Sequence, residues 1–135
     1  MKMQLFPAFP ILAAALAAPG MAEPASVQCN GDYAMAGEGK TTIVRTGEGH
    51  TAEVTREGDG TVRVEQHGKD HATLAVQSGD GSMLDIEQSG EASSADVAQD
   101  GACNASRIRQ SGNGNSASVT QSGSSNRVTV RQGGK

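Results

Sequence analysis

The sequence predicts an all-β fold, a cross-β solenoid of two-strand rungs with about 22 residues per rung. Three observations predict it. A glycine recurs nearly every eleven residues from Gly47 to Gly134, and from Gln66 onward a glutamine stands two residues before each of these glycines. Between these marks, small or apolar residues alternate with polar ones, which is the period of a β-strand. Each eleven-residue half-repeat is therefore predicted to be one strand and one turn.

The first 22 residues predict a secretory signal peptide. One lysine precedes an apolar run over residues 12–18, and the small residues Gly20 and Ala22 stand just before the expected cleavage point. Prolines interrupt the apolar stretch, which is therefore too short to span a bilayer. We expect an exported mature chain that begins at Glu23 and has no transmembrane segment.

The mature chain is too poor in large apolar residues for an ordinary core. The whole sequence has one tyrosine, two phenylalanines and no tryptophan, and both phenylalanines lie in the signal segment. Such a composition is typical of disordered chains, because too little apolar surface is buried to offset the entropy of ordering the backbone. We expect residues 23–36 to form a flexible leader segment and residues 37–135 to form the repeat solenoid, with 37–58 as its least regular part.

The repeated glutamines supply an ordering interaction that such a core lacks. A buried amide without a partner costs about 1–3 kcal/mol, but in a stack of rungs each amide donates to one neighbour and accepts from the next. With two strands per rung, alternate glutamines fall on the same sheet. The predicted amide ladders consist of Gln66, Gln88, Gln110 and Gln132 on one sheet and of Gln77, Gln99 and Gln121 on the other.

Asparagines and glycines mark the segments between strands. Asn104, Asn115 and Asn126 each stand three residues after a repeat glycine, and we predict that they belong to the amide ladders that drive assembly. Glycine adopts a positive φ at no steric cost, which suits short turns. The predicted turn glycines are Gly68, Gly79, Gly90, Gly101, Gly112 and Gly123.

The first two repeats depart from this pattern. Arg45 and Arg56 occupy the glutamine position, and an unpaired buried guanidinium costs far more than a buried amide. Either these strands fray, or the arginine side chains reach solvent at an open end of the stack. The unit that ends at Gly68 is also one residue shorter than the others, which predicts one shorter turn.

Charge is divided unevenly along the mature chain. All fifteen acidic residues precede Gly101, whereas five basic residues and no acid follow it. A basic tail can indicate nucleic-acid binding, but these bases are spaced singly and no aromatic side chains accompany them for base stacking. We therefore predict no nucleic-acid partner. A basic end stacked on the acidic end of the next copy is a head-to-tail contact, which generates filaments.

The remaining chemistry-bearing residues indicate neither a metal site nor an enzyme. Cys29 and Cys103 permit one disulfide in an exported chain, and two thiols in polar loops are equally compatible with the sequence. His50 and His71 share a repeat position but have no cysteine or carboxylate at matched spacing, so no metal site is predicted. No nucleophile or base stands in a distinctive motif. We predict no catalytic residues and no cofactor.

The repeat of Q-x-G, an asparagine three residues later, an alternating strand and a second glutamine resembles the curlin repeat of curli subunits. The resemblance covers residues 59–134 and is closest in QSGNGNSASVTQSGSSNRVTVRQGG. It implies export through an outer-membrane secretion pore of a Gram-negative bacterium, for which residues 23–36 would hold the targeting sequence. It also implies polymerisation, with itself and related curlin subunits, into extracellular functional amyloid.

The sequence therefore predicts a secreted structural subunit of a curli-like, pilus-like fibre on the cell surface. Such a fibre would support cell adhesion and biofilm formation. Two alternatives stay open at this stage: a minor or nucleating subunit of the same fibre, and a secreted surface adhesin that does not polymerise.

Overall fold

The computed structural model describes residues 39–134. The predicted signal peptide at 1–22 and the predicted leader at 23–36 lie outside these residues. The described part of the chain forms nine β-strands: β1 (Lys40–Glu48), β2 (Thr51–Glu57), β3 (Thr61–Lys69), β4 (Ala72–Ser78), β5 (Met83–Glu91), β6 (Ser94–Asp100), β7 (Ala105–Asn113), β8 (Ser116–Ser122) and β9 (Arg127–Gly133).

The strands form two parallel sheets that the chain visits in alternation. The odd-numbered strands make a five-stranded sheet in the order β1-β3-β5-β7-β9, here called sheet A, and the even-numbered strands make the four-stranded sheet B in the order β2-β4-β6-β8. Equivalent residues of successive rungs are aligned, as Gln66 is with Gln88 and Gln88 with Gln110. The chain is thus a β-solenoid of four two-strand rungs followed by β9, which confirms the predicted fold class.

Alternation along each strand places one row of side chains between the two sheets. In β5, Leu84, Ile86 and Gln88 are buried, whereas the residues between them are only partly buried. The apolar part of this core is a thin layer of small and branched side chains, as the composition predicts. Its buried members are Val62, Val64, Ala75, Leu84, Ile86, Ala95, Val97, Ile108, Ala117 and Val119.

The repeat glycines lie at the strand ends, where successive turns approach each other closely. Gly90 has a φ of 110°, which L side chains rarely adopt. A Cβ on Gly90 would overlap the carbonyl oxygen of Gly112, its aligned neighbour in the next rung. Both the backbone conformation and the rung spacing therefore require glycine here. A positive φ occurs at all six predicted turn glycines, which are Gly68, Gly79, Gly90, Gly101, Gly112 and Gly123.

Rung 1, formed by β1 and β2, is the N-terminal end of the stack and its least buried part. Every residue of β1 except Thr42 is exposed. Arg45 is exposed and its guanidinium lies 3.4 Å from the carbonyl oxygen of His50, while Arg56 turns to the carbonyl of Gly58 at 2.7 Å. Both strands are formed and do not fray. Arg45 reaches solvent at the open end, whereas Arg56 stays half-buried and its Nε is buried without a partner in the described part of the chain.

Replacing Gly90 by alanine is expected to lower the free energy of unfolding by about 3 kcal/mol, because left-handed strain and steric overlap add. Gly114→Ala is the matched control: Gly114 has a φ of 67° but a Cβ there would meet no atom within 4 Å, so the expected cost is about 1 kcal/mol. Guanidinium unfolding followed by circular dichroism measures both. Equal losses would show that the rung spacing does not depend on Gly90.

Candidate assembly site

Glutamine side chains form a continuous hydrogen-bonded column along sheet A. Gln66 Nε2 donates to Gln88 Oε1 at 3.1 Å, Gln88 Nε2 to Gln110 Oε1 at 2.9 Å, and Gln110 Nε2 to Gln132 Oε1 at 2.9 Å. Every donor points toward the C-terminal end of the stack. The column therefore has a direction, with its acceptor end at Gln66 and its donor end at Gln132.

A second column runs along sheet B with the same direction. Gln77 Nε2 donates to Gln99 Oε1 at 3.3 Å, and Gln99 Nε2 donates to Gln121 Oε1 at 2.7 Å. All three side chains are buried. The structure thus brings the seven glutamines together in two columns, one on each sheet, and their role in assembly stays a prediction.

The second N–H of the sheet A amides crosses to the facing sheet. Gln88 Nε2 donates to the carbonyl oxygen of Ala72 at 3.3 Å, and Gln110 Nε2 donates to that of Ser94 at 3.0 Å. Ala72 and Ser94 are the first residues of β4 and β6. Each glutamine therefore ties the end of its strand to the start of a strand on the other sheet. The sequence periodicity does not reveal this bond, since it depends on the width of the rung.

Buried hydroxyl groups connect each column to the facing sheet. Ser106 Oγ accepts from Gln99 Nε2 at 2.9 Å and donates to Gln121 Oε1 at 2.6 Å. Thr73 makes the equivalent contacts in the other column. These residues were not among the predicted assembly residues. The signal that could have identified them is a hydroxyl residue at an inward-facing position of an apolar row.

The asparagines close the corners of the solenoid. Asn104 Nδ2 donates to the carbonyl oxygen of Asp100, four residues earlier, at 3.1 Å, and Asn115 makes the same bond to Ser111 at 2.8 Å. Asn126 lies one rung above Asn104, and its Nδ2 donates to Asn104 Oδ1 at 3.2 Å. The structure therefore brings Asn104 and Asn126 together at one corner and places Asn115 at the opposite corner.

Histidine takes the place of asparagine in the corner column of the first rungs. His71 is buried; its Nε2 lies 3.0 Å from the carbonyl oxygen of His67, and its Nδ1 accepts from the N–H of Ser93 at 3.2 Å. These partners assign the hydrogen to Nε2. The His50 ring stacks on it with centroids 5.1 Å apart. No group of three metal-ligating side chains occurs within residues 39–134.

His71→Ala is expected to lower the free energy of unfolding by about 2 kcal/mol, because it leaves the N–H of Ser93 and the carbonyl of His67 without their partner. His71→Asn should restore most of this loss, since an amide also offers a donor and an acceptor, as Asn104 shows in this chain. Chemical denaturation of the three chains measures both changes. If the asparagine variant is as unstable as the alanine variant, the imidazole contributes by packing instead.

Opposite charges pair along the outer face of sheet A. Arg107 Nε lies 3.1 Å from Asp85 Oδ2, and Arg109 Nε lies 3.2 Å from Glu87 Oε2. Each pair joins β7 to β5, and exposed pairs of this kind contribute about 0–1 kcal/mol. Part of the charge division seen in the sequence is therefore neutralised between rungs of the same chain.

Cys103 lies in the turn before β7. It has a φ of 61° and is disulfide-bonded. Cys29, the other cysteine of the chain, lies outside the described residues, so the pairing of Cys29 with Cys103 stays a prediction.

Within residues 39–134, both ends of the stack present strand edges, and unmatched amide groups lie at or near them. The edge strands are β1 and β9 on sheet A and β2 and β8 on sheet B, and such edges are templates for pairing with another chain. One rung in from the N-terminal end, Gln66 Oε1 and Gln77 Oε1 lie beside Arg45 and Arg56 and are buried without a partner in the described part of the chain. At the C-terminal end, Gln132 Nε2 donates to the carbonyl oxygen of Ser116 and to no further amide within residues 39–134.

These features define a class of protein: a parallel β-solenoid with a polar, amide-linked core and open edges at both ends. The curlin associated repeat matches the chain three times, over residues 58–90, 90–123 and 106–134. The matches span more than half of the chain, which therefore belongs to the curlin-repeat family, a structural family; this confirms the resemblance seen in the sequence. A comparison with curated proteins gives no match. Among residues 39–134 there is no helix with the length and apolar character needed to cross a membrane.

Proposed function

We propose that this chain is a secreted structural subunit of a curli-like extracellular fibre and that copies add head to tail along the solenoid axis. The observation that carries the proposal is the direction of the two amide columns. Near the N-terminal end, the acceptors of Gln66 and Gln77 are buried in the second rung beneath Arg45 and Arg56, and the C-terminal end offers an amide N–H at Gln132. A second copy carries both kinds of group, an amide N–H at its C-terminal end and amide acceptors near its N-terminal end.

The physical gain from assembly lies in these unmatched ends. Each buried acceptor without a partner costs about 1–3 kcal/mol, and each unpaired strand edge leaves a row of backbone groups to water. Pairing with the strands of a second copy satisfies these edges, as in cross-β assemblies. A single copy has a thin core and two open ends, so association contributes a larger share of its order than in a compact domain.

The cellular setting follows from the family and the N-terminal sequence. Residues 1–22 would direct export, and residues 23–36 would serve as the targeting segment for an outer-membrane secretion pore. The fibre would lie outside the cell and support adhesion and biofilm formation, in contact with related curlin subunits and without a catalytic role, cofactor or nucleic-acid partner. Membership of a structural repeat family supports this role.

A minor or nucleating subunit of the same fibre is the second candidate. Arg45 and Arg56 stand in the glutamine columns at the N-terminal rung, so the two ends of the stack are chemically different. A subunit with one distinct end fits the terminus of a fibre better than its middle. Electron microscopy with labelled chains distinguishes the roles, since a nucleating subunit would be found at fibre ends and a major subunit along their length.

The purified mature chain is expected to form fibres that bind thioflavin T. Replacing both Gln110 and Gln121 by leucine should slow elongation about tenfold, because it keeps the volume but breaks both ladders at an expected cost of about 1–3 kcal/mol each. Thr120→Leu is the control, since Thr120 lies next to Gln121 on the exposed face of β8. Unchanged kinetics in the double variant would contradict the role of the ladders, and a wild-type chain that never forms fibres would contradict the proposed function.

A further inference from the structure

Simple stacking of one complete copy on the next does not bring matching groups together. The register of sheet A aligns Arg45 with Gln66 and Gln110 with Gln132, so β1 of an incoming copy placed on β9 would set Arg45 against Gln132. A guanidinium has donors only, and Gln132 also offers its N–H at this end. The same register would place Lys40 against Arg127, two cations on neighbouring strands.

The strand count raises a second difficulty. Sheet A has five strands and sheet B has four, so the C-terminal end of the stack is half a rung. If β1 of the incoming copy paired with β9, one empty strand position would separate β2 of that copy from β8. A strand position is about 4.8 Å wide, and sheet B would be interrupted at every junction.

We propose that β9 of one copy displaces β1 of the next copy and occupies its place beside β3. The β2 strand of the incoming copy then lies directly on β8. Sheet A continues in the order β7-β9-β3, and sheet B continues in the order β6-β8-β2-β4, so neither sheet has a gap. This inference rests on the proposed function, because it names the surface through which subunits of the fibre join.

The inward-facing residues of β9 match β3 better than those of β1 do. In the exchanged register, Gln132 replaces Arg45 beside Gln66. The Nε2 of Gln132 is then aimed at Gln66 Oε1, the buried acceptor that has no partner within residues 39–134. Val128 and Val130 of β9 then lie beside Val62 and Val64, because the register carried through β5 and β7 aligns these positions. The sheet A ladder thus continues from one copy into the next.

The outward-facing residues of β9 are also complementary to β3. The residue of β1 beside Glu65 is Val44, which is 40% exposed. In the exchanged register Arg131 takes this position. Glu65, Glu87, Arg109 and Arg131 share one outward-facing row of aligned residues. Within this row, Arg109 on β7 already lies 3.2 Å from Glu87 on β5. Exchange therefore replaces an exposed valine with a second cation beside Glu65, which already pairs with Arg63.

β1 is also the strand that can leave most easily. Among the described strands it pairs with β3 alone, and all of its residues except Thr42 are exposed. The guanidinium of Arg45 donates to the carbonyl oxygen of His50 at a long 3.4 Å. When β9 takes its place, the backbone partners of β3 are restored, and the backbone edges of β8 and β2 pair as well. On sheet B the register still sets Arg56 beside Gln121, so exchange removes the donor mismatch on sheet A.

A cross-link that holds β1 on β3 tests the exchange. Thr46 and His67 are aligned, exposed neighbours on the outer face of these strands, at a separation that a disulfide spans. The locked chain carries Thr46→Cys and His67→Cys. The control carries Ser89→Cys and Ser111→Cys, which join β5 to β7 at the same position of the column. Both are made in a Cys29→Ser, Cys103→Ser parent chain.

In seeded thioflavin T assays, the oxidised locked chain is expected to elongate at least tenfold more slowly than the parent and to recover on reduction. The oxidised control should elongate like the parent. Equal growth of locked and control chains overturns the exchange and leaves the fibre function standing. A locked chain that stays inactive after reduction also overturns it, because the substitutions would then block growth by themselves. A wild-type chain that forms no fibres overturns the proposed function itself.

Discussion

The hydrogen bond from one glutamine amide to the same residue one rung away is the constraint on which the rest of the structure depends. A buried amide needs partners for two N–H groups and a carbonyl oxygen, and in Gln88 these partners are Gln66, Gln110 and a backbone carbonyl on the facing sheet. Such an arrangement requires parallel strands in fixed register. A slip of one residue would turn every inward side chain to the outer face.

The thin core and the glycine turns follow from this constraint. Side chains between the sheets must be small enough for the amide of one strand to reach the start of a strand on the other sheet, as Gln110 reaches Ser94. Successive turns must lie as close together as the strands, which leaves no room for a Cβ at Gly90. The scarcity of large hydrophobic residues, which in isolation is typical of disorder, is therefore a requirement of this fold.

The sequence predicted what depends on periodicity, namely the solenoid class and the grouping of glutamines into two columns. It could not predict what depends on distances between columns. The hydroxyl of Ser106 enters the ladder because it lies opposite Gln99 and Gln121, and His71 substitutes for an asparagine because the turn presents it with one donor and one acceptor. The route of Arg56 to a turn carbonyl likewise requires the geometry of the open end.

Protein edges are usually blunted against pairing with other chains, whereas in residues 39–134 both ends of the stack present strand edges, with unmatched amide groups at Gln132 and in the rung beneath β1 and β2. Fibre diffraction from aligned assemblies of the mature chain most directly tests whether the solenoid continues from copy to copy. We expect a meridional reflection at about 4.8 Å, from strands that lie perpendicular to the fibre axis, and an equatorial reflection at about 10 Å from the two facing sheets. Fibres that lack the meridional reflection, or a chain that stays soluble and without regular structure, would contradict the account.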